Sequence, residues 1–141
     1  YNPKELPRLI QIAIENKVDL LLTTRINGSS LTRVHYFWHR LGNKVITFAF
    51  NILFNTTFTD LYSGYLLIRR EFLNFERIKS NGWAQQSELI AAVISRKDSR
   101  VFETPISYHG RTYIEGKKIR EFAIVPILFY ILRCRIWKST K

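Results

Sequence analysis

Three apolar runs of strand length, at residues 18–24, 65–68 and 101–107, are separated by longer segments in which apolar side chains recur at helical spacing. Runs that short do not make buried helices, and the segments between them are too long for hairpin turns, so the chain reads as mixed α/β. Leu6, Leu9, Ile10, Ala13 and Ile14 mark a first amphipathic helix that starts behind Asn2-Pro3 and ends near Asn16, with Pro7 distorting or delaying its first turn. Residues 31–54 read as one long helix, or two, marked by Gly42-Asn43, and their apolar half needs a partner. After a loop over 55–60, Ser63-Gly64 turns the chain into the second strand. A short helix over 69–74, a turn at Asn81-Gly82, a helix over 84–97 and a basic, aromatic-rich helix over 119–137 with Pro126 inside it complete the reading.

At 141 residues the chain is one domain at most, and its 46% hydrophobic content supplies a core that a disordered chain lacks. The net charge of +11 is uneven, with basic residues gathered in 25–44 and 109–141. The one cysteine, Cys134, cannot form an internal disulfide, which favours a reducing, cytosol-facing compartment. No methionine and no signal-peptide layout open the chain, so it is expected to be processed, trimmed or part of a longer reading frame. No run approaches the ~20 apolar residues of a membrane span.

The motifs exclude more than they assign. His35 and His39 stand four apart on a helical segment, but Tyr36 replaces the glutamate of a zinc-protease pattern and no third ligand follows. The nucleotide and hydrolase signatures GxGxxG, GxxxxGK[ST] and GxSxG are missing. Two triplets, at Asn27 and Asn55, fit the N-glycosylation pattern without a secretion signal to support them. What remains is cationic. The first strand delivers Arg25 into a polar loop, and the loop at 109–118 sets Arg111, Lys117 and Lys118 among two glycines, where a fork-shaped guanidinium and compact ammonium groups can close on phosphate.

Several stretches then occur in order: Tyr1-Asn2-Pro3, Thr24-Arg25, Arg33-Val34-His35-Tyr36-Phe37-Trp38-His39, Gly42-Asn43-Lys44, Thr59-Asp60-Leu61-Tyr62-Ser63-Gly64-Tyr65, and residues 103–113 with 115–119. Together they resemble the second half of the family-two, GT-A-fold glycosyltransferases, in the branch of dolichyl-phosphate mannose synthase and related polyprenyl-phosphate sugar transferases. The resemblance runs from Tyr1 to about Arg135, and the 103–119 loop is its most specific part.

The resemblance implies the C-terminal, acceptor-side half of a GT-A domain, a mixed sheet flanked by helices, as a partial domain over 1–141. It implies transfer of a hexose from a nucleotide-sugar donor to a polyprenyl (dolichyl-type) phosphate at the cytoplasmic face of a membrane. Arg25, Arg33, Arg111 and Lys117 match family positions beside the phosphates of donor and acceptor, while Asp60 and Glu88 match positions framing the acceptor pocket. The family's metal-binding Asp-x-Asp lies before the Tyr-Asn-Pro match and occurs nowhere in this chain. A divalent cation, Mg or Mn, is therefore expected in the complete enzyme and not on this chain alone, which is expected to be inactive by itself. Thr23-Thr24-Arg25 replaces the usual Gly-Ser-Arg and leaves the arginine in place.

Residues 119–138 are expected to lie along a membrane surface, with Arg120, Arg133, Arg135 and Lys138 reaching anionic head groups. The alternative reading is a non-catalytic basic module for anionic membranes or nucleic acid. Against nucleic acid, the aromatics follow no RNA-recognition or zinc-finger pattern.

Overall fold

The computed structural model describes residues 1–26, 37–73, 78–108 and 124–139. A 3₁₀ turn, Pro3–Glu5, capped by the Asn2 side chain, leads into α1, Leu6–Glu15. Pro7 falls in the first turn of α1, where no intrahelical N–H bond is lost, so it ends the 3₁₀ turn without breaking the helix.

The sheet has three strands in the order β2-β1-β3, with β1 at Leu20–Thr24, β2 at Leu66–Ile68 and β3 at Val101–Pro105. β2 runs antiparallel to β1, Leu20 facing Ile68, and β3 runs parallel to it, Leu20 facing Val101 and Thr24 facing Pro105. All five residues of β1 are buried, because helices cover both faces of the central strand. That is why its sequence, three leucines followed by two threonines, carries no charge. The pleat divides it: Leu20 and Leu22 enter one core with Ile46, Phe50, Ile90, Ile127 and Ile131, and Leu21 enters a second with Leu9, Val18 and Ile106. α1 therefore lies on one face, and α2, Phe37–Phe54, α3, Ala84–Ile94, and α4, Ile124–Ser139, lie on the other. This is an α/β fold with a mixed sheet flanked by helices, consistent with part of a GT-A domain.

Asp19 gathers the starting edge of the sheet. Its Oδ2 accepts the Arg100 N–H ahead of β3 at 2.9 Å, and its Oδ1 lies 3.2 Å from Arg69 Nη1, just past β2. The opposite edge, where β1 and β3 both end, is left to the groups described below.

Two expected helices, over 69–74 and 84–97, are shorter in the structure, and the alternative left open at Gly42-Asn43 resolves to a single helix. The described part of the 31–54 segment is one helix, without a break at Gly42-Asn43. Gly42 is instead where α4 crosses: a Cβ there would stand 2.9 Å from Ile124 Cδ1. Asn55 ends the helix in the left-handed conformation (φ 53°) that asparagine tolerates. The helix expected over 69–74 is a single 3₁₀ turn, Arg70–Phe72, and the one expected over 84–97 stops at Ile94, after which the Ser95 hydroxyl donates to Ala91 C=O. Of the segment expected over 119–137, residues 119–123 lie outside the described residues, and Pro126 stands in the first turn of α4.

Candidate anion-binding site

In open α/β sheets ligands gather beyond the carboxyl ends of parallel strands. Here those ends are Thr24 of β1 and Pro105 of β3, and the 59–65 segment that enters β2 crosses beside them. Arg25 is the first residue past β1. Its Nε donates to Asp60 Oδ2 at 2.7 Å, its Nη2 to Oδ1 at 2.8 Å, and its backbone N–H to Oδ2 at 3.1 Å. Asn43 Nδ2, from α2, completes the set with a 2.6 Å bond to Oδ1. Each carboxylate oxygen thus accepts two hydrogen bonds, so the fully buried Asp60 side chain is satisfied. Burial works against the charge on Arg25, whose side chain is 17% exposed; the hydrogen bonds and negative charge of Asp60 outweigh it and hold the guanidinium above its ordinary range.

An aromatic cluster covers the pair. Arg25 stands 5.1 Å from the centre of the Tyr108 ring, Tyr108 is 4.9 Å from Tyr1, and Tyr1 is 5.2 Å from Tyr65. The Tyr1 hydroxyl donates to Ser63 C=O, and burial pushes its pKa up to about 12. Gly64 (φ 108°) makes this packing possible, because a Cβ there would meet the Tyr1 phenol.

Glu103, on β3, braces the loop from below. It accepts the Thr59 N–H at 3.1 Å, the Thr59 hydroxyl at 2.9 Å and the Asp60 N–H at 3.2 Å. Burial raises its pKa, the neighbouring Asp60 charge adds to the rise, and the bonds from Thr59 and Asp60 oppose it. The two threonines before Arg25 are part of the same frame. Thr24 Oγ1 lies 2.7 Å from Thr59 Oγ1, and Thr23 Oγ1 lies 2.9 Å from Ser63 Oγ and donates to Tyr65 C=O. The hydroxyls of Thr23 and Thr24 therefore both tie β1 to the loop.

Of the expected site residues, Arg25 and Asp60 meet. Arg33, Arg111 and Lys117, and likewise His35, lie outside the described residues. Glu88 stands mid-way along α3 rather than at its start. Its carboxylate accepts the Lys79 N–H at 3.1 Å, the Ser80 N–H at 2.8 Å and the Ser80 hydroxyl, and among the described residues it shares no bond with Arg25 or Asp60. Burial pushes its pKa up, but the Ser80 and Lys79 hydrogen bonds together with the charge of Arg133 outweigh it, so its pKa is lowered. Asn43, Glu103, Tyr1 and Tyr108 were not singled out by their chemistry. Asn43 had one legible signal: Asn43, Thr47 and Asn51 form a polar line at four-residue spacing in an otherwise apolar and basic helix.

These carboxylates do not suit a divalent cation. Asp60 is saturated by Arg25 and Asn43, Glu103 by Thr59 and Asp60, and among the described residues no three His, Cys, Asp or Glu are grouped to hold an ion. The arrangement suits an anion instead. A guanidinium has five N–H groups and Asp60 takes two, so Arg25, already oriented and with Tyr1 beside it, is a cation with further donors suited to a phosphate.

No family model matches the chain, and no solved structure matches it. Among curated proteins, the low-salt glycan biosynthesis hexosyltransferase Agl6 of Haloferax volcanii is 27% identical over 115 residues. The match covers 79% of this chain and 27% of that protein, so the chain spans about a quarter of the relative's length.

Proposed function

We propose that the chain is the acceptor-side part of a family-two glycosyltransferase, of the dolichyl-phosphate mannose synthase-like branch, which moves a hexose from a nucleotide-sugar to a polyprenyl phosphate at the cytoplasmic face of a membrane. The observation that carries this reading is Arg25, fixed by a buried carboxylate at the carboxyl edge of the sheet. Similarity to a hexosyltransferase over most of the chain supports it.

In this reaction an ionised phosphate oxygen of the acceptor attacks the anomeric carbon. The bond from that carbon to the nucleotide diphosphate breaks, its electron pair leaves with the diphosphate, and the configuration inverts. The nucleophile is already an anion, so no strong general base is needed. The protein's task is to bring two polyanions together and to stabilise the departing charge. Arg25 suits this because Asp60 and Asn43 hold it in place before any ligand arrives, and its orientation costs nothing further at the moment of reaction. Arg33, Arg111 and Lys117 supply the other cations in this reading. Asp60 then acts through Arg25 as a positioning residue, while Glu88 caps the backbone ahead of α3. A magnesium or manganese ion in the complete enzyme would stabilise the departing diphosphate and would need acids other than Asp60, Glu88 and Glu103, whose oxygens are already hydrogen-bonded. The same reading expects no transfer from residues 1–141 alone.

The test is transfer of label from a panel of nucleotide-hexoses into lipid-extractable product by the full-length protein supplied with polyprenyl phosphate. Lipid-linked hexose is expected, with Arg25→Ala lowering kcat/KM by about 10- to 100-fold, as loss of a charge-assisted hydrogen bond predicts. Failure with every donor, or an Arg25→Ala enzyme as active as the parent, overturns the reading.

A further inference from the structure

β3 sets Glu103 opposite Leu22, on the face of the sheet that carries Leu20 and Leu22 into the core beneath α2, α3 and α4. A carboxylate there works against folding: burial raises its pKa, and the charge of Asp60 adds to the rise. What the group does in return is accept. Its oxygens take the Thr59 N–H, the Thr59 hydroxyl and the Asp60 N–H at 2.9–3.2 Å, and an ionised carboxylate accepts without donating.

The neighbouring residues of the same segment have other supports. From α2, Asn51 bonds both the C=O and the N–H of Phe58, at 2.8 and 3.0 Å, and Thr47 Oγ1 accepts the Leu61 N–H at 3.2 Å. From α3, Gln86 Nε2 donates to Leu61 C=O at 2.8 Å. The two N–H groups in between both go to Glu103, so the backbone that carries the Asp60 side chain is fixed from β3. Past its end the same strand leads to Tyr108, whose ring lies 5.1 Å from Arg25. That end is itself tied down: Arg8 Nη2 donates to Pro105 C=O at 2.7 Å, and the Ser107 N–H and hydroxyl donate to Glu5 Oε1 at 3.2 and 2.7 Å. β3 therefore reaches Arg25 by two routes, the Tyr108 ring directly and Glu103 by way of Asp60.

We infer that Glu103 is a positioning residue for anion binding: by holding the Thr59–Asp60 backbone it sets where Asp60 aims the Arg25 guanidinium, and so how tightly a phosphate group is held. Its bonds and not its charge perform this. One guanidinium stands beside two carboxylates, so the negative charge of Glu103 opposes an incoming anion, whereas its bonds favour one. A glutamine keeps an acceptor for both N–H groups and drops the charge, while an aspartate keeps the charge and draws the carboxylate back by one methylene. The inference rests on Arg25 binding a phosphate and not on which group the enzyme transfers.

The experiment is calorimetric titration of inorganic pyrophosphate into the full-length protein, without divalent metal or sugar donor, so that it is read apart from the transfer assay. Arg25→Ala is expected to weaken binding by about 10-fold or more. Glu103→Ala and Glu103→Asp are each expected to weaken it by about 5- to 10-fold, and Glu103→Gln to bind at least as tightly as the parent. In an Arg25→Ala background the same Glu103 substitutions are expected to change affinity by less than about 2-fold, because their effect passes through the missing guanidinium. A loss of packing alone would not depend on Arg25. Glu103→Asp carries the test where Glu103→Ala does not fold. A parent with no affinity for pyrophosphate, a Glu103→Gln protein as weak as Glu103→Asp, or equal losses with and without Arg25 each overturns the inference.

Discussion

The inner side of α2 mixes core residues such as Ile46 and Phe50 with a line of polar side chains, whereas its outer side is an apolar stripe. Two amides and a hydroxyl face the protein, while two phenylalanines, a tryptophan and three aliphatic residues face solvent. Each polar residue of the inner side meets a partner in the 56–61 segment, and a bonded polar group costs little to bury; the buried Asn43 Oδ1 is the exception, with no partner among the described residues. The outer side gains nothing from the fold. Burial by itself therefore does not report what a helix contributes to stability: the polar inner line holds the structure together, and the apolar outer line is available for something else.

The largest expected effect comes from emptying the carboxylate that this inner side supports. Asp60→Ala leaves Arg25 partly buried without its counter-ion and is expected to cost about 3–5 kcal/mol in chemical denaturation. A loss below about 1 kcal/mol would mean that Arg25 swings to solvent on its own, and that the pair is not held as described.

Two phenylalanines only two positions apart sharpen the contrast between the sides. Phe50 is fully buried and stacks on Phe54 at 4.4 Å, so Phe50→Ala is expected to cost about 3–5 kcal/mol. Phe48→Ala is expected to change folding stability by no more than about 0.5 kcal/mol. Similar losses for both would show that the outer stripe is covered within the folded monomer.

The smallest effect separates two glutamates by the sign of their pH dependence. Glu103 has its pKa raised by burial, so its ionisation costs stability at neutral pH, and that cost is relieved as pH falls through its raised value toward the ordinary 4.5. Glu88 has a lowered pKa, so its contribution is present above 4.5 and is lost as pH falls through its lowered value. Each slope is bounded by about 1.4 kcal/mol per pH unit, the value for one proton. Denaturation profiles of Glu103→Gln and Glu88→Gln across pH 3–7 are expected to lose the gain and the loss respectively; parallel profiles would remove both assignments.

Much of the element order was legible because apolar spacing is a local property. The buried run ending at Thr24, the helical stripe of Leu6, Leu9 and Ala13, and the turn at Gly64 all report the side-chain environment of a few neighbouring residues. Ends were less legible. Pro7 and Gly42 are both helix breakers by local rules, yet one falls in a first turn and the other under a crossing helix, so neither breaks its helix. Arg25 was legible as a cation following a strand, but not as the partner of Asp60.

The sequence by itself determined that this chain is α/β, that its central strand is buried on both faces, and that its charge is basic and gathered away from its apolar runs. Only the tertiary structure decided that Arg25, Asn43, Asp60 and Glu103 converge. Their meeting depends on the register of β1 with β3 and on the path of α2 over the sheet. Local periodicity sets which side of an element is apolar, whereas register and crossing are set by packing summed over the whole core. Polar residues far apart in the chain therefore become neighbours through contacts that none of them makes.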